Sequence, residues 1–328
     1  MSSSNIQYDP LPRSSRDLEG EEFKDKPLPR RPPRFPRLRR VCRPLYVLIA
    51  FGLFVLWQLL FNASYTNPPP FTIPEAENVY IAANIIDGAL IEGAWGRSVM
   101  RLVDMVGRER VHVSIYGGPK ESLEKLGAML GCAHTLVDET AEPLDLAAIP
   151  RTVLPTGESR IKRIAYLAAV RNRALRPLEE LEMRFQKVLF INDVFFDAND
   201  AARLLWGTNV KGGMARYKAA CGADFVSWWK FYDTFATRDA EGYSIGVPIY
   251  PWFAGEGEGR SRRDVLEGGD VRVRSCWGGM TAFQGGYFQE QDGKRVREEG
   301  REGKGDIEVP TLPLRFRSEP EPFWDSSE

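Results

Sequence analysis

From Asn78 to Asp193 the chain alternates between two hydrophobic rhythms. The runs NVYIAANII (78–86), RVHVSIYGG (110–118), CAHTLVDE (132–139) and VLFIND (188–193) are short and apolar enough to be buried strands. Between them stand GALIEGAWGRSVMRLVDMVG (88–107), PKESLEKLGAMLG (119–131) and SRIKRIAYLAAVRNRALRPL (159–178), whose apolar residues recur at helical spacing. Pro119 opens the second of these helices and Gly131 closes it, while Pro177 stops the third. Strands alternating with helices predict an α/β domain around a mostly parallel sheet flanked by helices. A polar helical stretch leads into VLFIND. Past Trp206 the pattern blurs into glycines and aromatics, and residues 255–270 and 289–308 read as charged, Gly-rich loops.

One segment follows neither rhythm. LYVLIAFGLFVLWQLLF (45–61) is seventeen residues without a charge, about 26 Å as a helix. That is the short end of a membrane crossing, so 44–61 is expected to be a transmembrane anchor. Seven arginines between Arg30 and Arg43 precede it, and no Lys or Arg follows until Arg97. The positive flank stays cytoplasmic, which puts the bulk of the chain in a lumen. The sequence thus divides into a disordered basic cytosolic tail (1–43), the anchor (44–61), a Pro-rich stem (62–77) and a lumenal domain (78–328). The net charge of −1 hides about +5 before residue 44 and about −6 after residue 61. Beside a membrane span the arginines are a topology signal, and no nucleic-acid partner is expected. In an oxidising lumen Cys132, Cys221 and Cys276 allow one disulfide and one leftover thiol.

The chemistry begins at the end of VLFIND. A buried strand gains nothing from finishing in an acid, but ligands bind beyond the carboxyl ends of strands in an open parallel sheet. There Asp193 can hold a divalent metal that neutralises a diphosphate; capping the next helix is the plain alternative. On the preceding helix Ile161, Ile164, Ala165 and Ala168 mark the buried face, and its continuation carries Asn172, with Arg171 beside it. Both need partners there, either nucleotide phosphates or a nearby carboxylate. GEGEG (255–259) has no strand before it, His112 and His134 form no ligand pair, and no Cys-x-x-Cys pattern exists.

AVRNRAL (169–175) followed by LFINDVFF (189–196) resembles the sugar-nucleotide half of GT-A glycosyltransferases. With VYIAANIIDGALI (79–91), VHVSIYGG (111–118), ADFVSWWKFYDTFATRDAEG (223–242) and VRSCWGGMTAF (273–283), the chain is similar to the fungal capsule-associated α-1,3-mannosyltransferases, glycosyltransferase family 69. The resemblance implies a GT-A-like (Rossmann-like) fold, a GDP-mannose donor, Mn2+ or Mg2+, retention at the anomeric carbon, and a mannose-containing glycan acceptor in the Golgi or ER. It gives Arg171, Asn172 and Asp193 to the donor and Asp193 with Asp197 to the metal. Asp233 or Asp239, among the aromatics Trp228, Trp229 and Phe231, would stabilise an oxocarbenium-like transition state. Trp277 with Gly278 and Gly279 would receive sugar, although a tight turn also explains the glycines. Family members generally continue beyond SEPEPFWDSSE, so a C-terminally truncated domain is expected. The alternative function is an inactive, membrane-tethered glycan- or partner-binding paralogue.

Overall fold

The computed structural model describes residues 44–61, 70–227, 230–250, 252–253, 259–289 and 313–318. The N-terminal tail, Trp228, Trp229, most of GEGEG, the stretch 290–312 and the C-terminal SEPEPFWDSSE beyond its first residue lie outside the described residues. The chain divides into two compact units, residues 1–59 and 60–328. The first contains nearly all of helix α1 (Pro44–Phe61). Its described side chains run from Tyr46 to Trp57, and nine large apolar ones are about half exposed or more. Among the described residues no helix is long and apolar enough to cross a membrane.

The second unit is built by strand–helix alternation. Strand β1 (Val79–Asn84) leads to a short helix α2 (Gly88–Glu92) and then to α3 (Ala94–Val106). After β2 (Val111–Tyr116), α4 (Lys120–Leu130) and β3 (Ala133–Val137), a hairpin of β4 (Arg151–Val153) and β5 (Ser159–Ile161) precedes α5 (Arg163–Leu175). Strand β6 (Lys187–Ile191) and α6 (Ala198–Trp206) follow. The rest is mostly short pieces: β7 (Val210–Lys211) with β8 (Met214–Ala215), β9 (Ala219–Cys221), β10 (Phe225–Ser227) with β11 (Lys230–Phe231), β12 (Arg238–Asp239), α7 (Arg260–Glu267), β13 (Val273–Ser275) and β14 (Met280–Gln284).

Six strands form the central sheet in the order β3-β2-β1-β6-β14-β9. The first four run parallel, while β14 lies antiparallel to both β6 and β9. Strands β1, β2 and β6 are buried on both faces, because alternate residues enter two different cores. Ile81, Val113, Leu189 and Ile191 pack against α3, α4 and α6 around Trp95 and Leu102. Tyr80, Ala82, Val188 and Phe190 face Ala174 and Leu175 of α5. Each fully buried side chain of this kind contributes about 1.5–3 kcal/mol over leaving it in water.

The chain winds outward from β1 through β2 to β3, then crosses back to lay β6 on the other side of β1. The connections therefore diverge between β1 and β6, and this is where an open α/β sheet leaves a crevice at its carboxyl edge.

Local departures from the sequence pattern have physical causes. The first predicted helix breaks at Gly93, where a Cβ would stand 2.5 Å from the carbonyl oxygen of Ala89. Ile161 belongs to β5 and Ile164 is exposed, so the buried face of α5 is Ala165, Ala168, Ala174 and Leu175. Residues 260–267, expected in a loop, form α7, which buries Val265. From the predicted stem, Phe71 and Ile73 pack against the first core.

Candidate active site

Strand β6 ends at Ile191, and the next residue is gripped from both sides. The Asn192 amide donates to the Gly279 carbonyl at 2.9 Å, and the Asn192 carbonyl accepts the Trp95 indole N–H at 2.9 Å. This fixes the backbone from which Asp193 emerges, exposed, at the rim of the crevice. Among the described residues nothing hydrogen-bonds or ion-pairs with its carboxylate. On the other side of the crevice, Asn84 at the end of β1 donates to the carbonyls of Tyr116 and Val170, tying β1, β2 and α5 together.

Arg171 comes from α5, one turn beyond Ala168 on the sheet-facing side. Its guanidinium carbon lies 3.9 Å from the centroid of the Trp277 ring and 5.3 Å from that of Phe316. Phe190 and Phe316 pack on Trp277 at 5.7 and 5.6 Å, closing an aromatic box around the cation. Burial pulls the Arg171 pKa down to about 10. No carboxylate among the described residues offsets that loss of hydration. A half-buried guanidinium with only ring faces beside it keeps its N–H donors available to an anion.

Several expected ligand residues turn out to hold this box in place. The Asn172 side chain exchanges two hydrogen bonds with the Phe316 backbone, donating to its carbonyl and accepting its N–H, both at 2.8 Å. Its amide therefore clamps the C-terminal segment and keeps one N–H and one oxygen lone pair for another partner. Trp277, expected to stack on sugar, carries the Arg171 guanidinium against its ring.

Gly278 and Gly279 have φ of 54° and 65°, backbone that an L side chain rarely adopts. A Cβ at Gly278 would lie 1.9 Å from the Gly222 carbonyl oxygen, so the close approach these glycines permit is to the protein's own backbone. The disulfide Cys221–Cys276 fastens the same loop to β9, and Cys132 remains free.

The carboxylates divide similarly. Asp233 is saturated: it accepts the backbone N–H groups of Trp277 at 3.0 Å, Gly278 at 3.4 Å and Ala236 at 2.9 Å, and the Thr237 hydroxyl at 3.3 Å. It shapes the loop that presents Trp277. Asp239 spends Oδ1 on the N–H groups of Glu241 and Tyr243 in a turn. Asp197 caps α6 by accepting the Asn199 N–H, which holds its carboxyl below the usual range.

One acid was missed in the sequence. Asp224 Oδ2 would lie 3.2 Å from a Cβ at Gly279, and Val194 would lie 3.0 Å from it, so Asp224 stands at the same rim as Asp193. Burial pushes the Asp224 carboxyl up, and the charge of Asp233 adds to the rise. The only available signal was its place at the head of the aromatic run FVSWWKFY.

Chemically, the rim offers one half-buried cation for an anion, one free carboxylate at a strand end, and one half-buried carboxyl with a raised pKa. Among the described residues no three His, Cys, Asp or Glu side chains converge on a metal position. That donor set fits a cation held by Asp193 together with the oxygens of a bound diphosphate and water, the mode typical of Mg2+.

Comparison with known proteins places these features in context. No curated protein matches the chain. Among solved structures, it is similar to glucosyl-3-phosphoglycerate synthase from Mycobacterium tuberculosis, crystallised with Mn2+, UDP and phosphoglyceric acid. The identity is 16%, the TM-score is 0.26, and the match covers 42% of this chain and 43% of the synthase, less than half of that protein's length. A family model described as cryptococcal mannosyltransferase 1 matches residues 78–328, which takes in the whole sheet, Arg171, Asp193, Asp224 and Trp277. The chain belongs to that mannosyltransferase family.

Proposed function

We propose that the protein is a type II, membrane-anchored glycosyltransferase, an α-1,3-mannosyltransferase that moves mannose from GDP-mannose to a mannose-containing glycan with retention and with help from Mn2+ or Mg2+. The observation that carries the reading is Arg171, a half-buried cation with no carboxylate partner among the described residues, beside the strand end that presents Asp193. In the transfer, the bond between the anomeric carbon and the diphosphate oxygen breaks as the acceptor hydroxyl oxygen bonds to that carbon. GDP leaves with the electron pair, and the hydroxyl proton passes to an oxygen of the departing diphosphate. Arg171 stabilises the charge accumulating on the diphosphate. A divalent ion, when bound, supplies further neutralisation of that diphosphate, with Asp193 as its protein ligand.

Asp224 is the carboxyl that faces the developing positive charge on the sugar, a role its proximity to Gly279 and Val194 favours over the saturated Asp233. The disulfide supports an oxidising compartment, the Golgi or ER lumen. The uncharged helix after the arginine run supports the anchor. The test is mannose transfer from GDP-mannose to an α-mannoside with Mn2+, alongside GDP titration. Arg171→Met is expected to weaken GDP binding about tenfold or more, with Arg171→Lys recovering part of it. Absence of both transfer and GDP binding in wild type would overturn the reading.

The alternative expected from the sequence, an inactive glycan-binding paralogue, is separated from this reading by the same titration. It requires mannan binding without any response to GDP and Mn2+.

A further inference from the structure

A cavity of about 880 Å³ lies at the opposite end of the sheet, where β6 begins and β14 ends. Asp193 lies six residues beyond Lys187, roughly 20 Å along the strand direction. This cavity is therefore separate from the rim described above. Its volume is within the range of small-molecule sites, and its lining is mainly basic. Lys187 and Arg216 line it, with Glu77 as its one acid among the described residues.

Lys187 is the informative residue. It occupies the first position of a central strand, paired with Val79 on one side and Gln284 on the other, and it is only 7% exposed. A central strand starting inside the body has no need of an ammonium group, since burying a charge is strongly unfavourable unless it is paired. Among the described residues Lys187 forms no ion pair or side-chain hydrogen bond; its Nζ rests 4.5 Å from the centroid of the Tyr217 ring. Glu77 acts on it only through space and gives its own carboxylate oxygen to the Trp206 indole at 2.7 Å. Burial consequently holds the ammonium below its ordinary pKa. Tyr217 is itself fixed by its hydroxyl, which donates to the Leu205 carbonyl at 2.8 Å.

We infer that this cavity is a second anion-binding site that takes a soluble phosphomonoester, with Lys187 as its inner cation and Arg216 at its mouth. Lys187 inside and Arg216 at the mouth, beside a Glu77 already engaged by Trp206, favour a ligand carrying more than one negative charge over a simple carboxylate. The volume leaves room for the sugar or polyol that carries the phosphoryl group. Occupancy would supply Lys187 with the hydrogen-bonded counter-charge that its neighbours do not.

The test is calorimetric titration of the full-length protein with glucose 6-phosphate, with neutral glucose as the control. Wild type is expected to bind the phosphate ester and not glucose. Lys187→Met keeps the buried stem and removes the charge; it should weaken binding about tenfold without lowering the melting temperature of the unliganded protein. Should that variant fail to fold, exposed Arg216→Ala carries the test and is expected to weaken binding several-fold. Arg171→Met and saturating GDP should leave glucose 6-phosphate affinity unchanged. No binding by wild type at millimolar ligand would overturn the inference. So would displacement by GDP, or a Lys187→Met protein that melts lower yet binds as well as wild type.

Discussion

Arg171 and Asp193 were readable from the sequence because each breaks a local rule, a cation on a buried helix face and an acid at the end of an apolar strand. The partners of Asn172 and Asp233 were not, because they lie 144 and 44 residues away. Nothing local distinguishes a carboxylate that will hold a loop from one that will face a substrate. Asp224 was hidden for a related reason: its raised pKa comes from burial and from Asp233, both products of folding. Two predictions belong at this scale. Asp224→Asn should lower kcat by about 100-fold while leaving GDP affinity within about twofold, a split read by comparing kinetics with titration. Gly278→Ala must place a Cβ against the Gly222 carbonyl in left-handed backbone, and should destabilise the protein by about 3 kcal/mol, read as a lower urea midpoint.

At the scale of elements, the four parallel strands followed from alternation alone, since strands buried on both faces are continuous apolar runs. Strands β9 and β14 escaped detection. They are short, rich in small residues, and become strands only by pairing antiparallel on the far side of β6. The disulfide compensates for their brevity by joining residues 55 apart. Removing it with Cys276→Ser should cost about 4 kcal/mol on the chain-entropy model and should loosen the loop that carries Trp277, so GDP affinity falls together with the melting temperature.

Strand β2 supplies a pH dependence. His112 stacks on Tyr80 and bonds Thr135, and burial, with a smaller push from His134, depresses its pKa from 6.5 to about 4. The unfolded chain therefore takes up a proton that the folded chain refuses. This contribution is complete above pH 6.5 and is lost progressively as pH falls toward 4. Melting curves across that window should show a smaller loss for His112→Gln than for wild type.

Over the whole molecule, hydrophobic alternation sufficed for the α/β architecture, and the family match covers the same body. The N-terminal helix makes a separate prediction: full-length protein should sediment with membranes and resist high salt and alkaline carbonate. Leu53→Lys with Leu56→Lys, two exposed positions on α1, should move it to the soluble fraction.

The clamp between Asn172 and Phe316 has a consequence for biosynthesis. A ribosome must make 144 further residues after Asn172 before the ring that closes over Arg171 exists. Strands β6, β9 and β14 and the Trp277 ring are made within that same interval, so half of the sheet and the aromatic box around Arg171 are completed together, near its end.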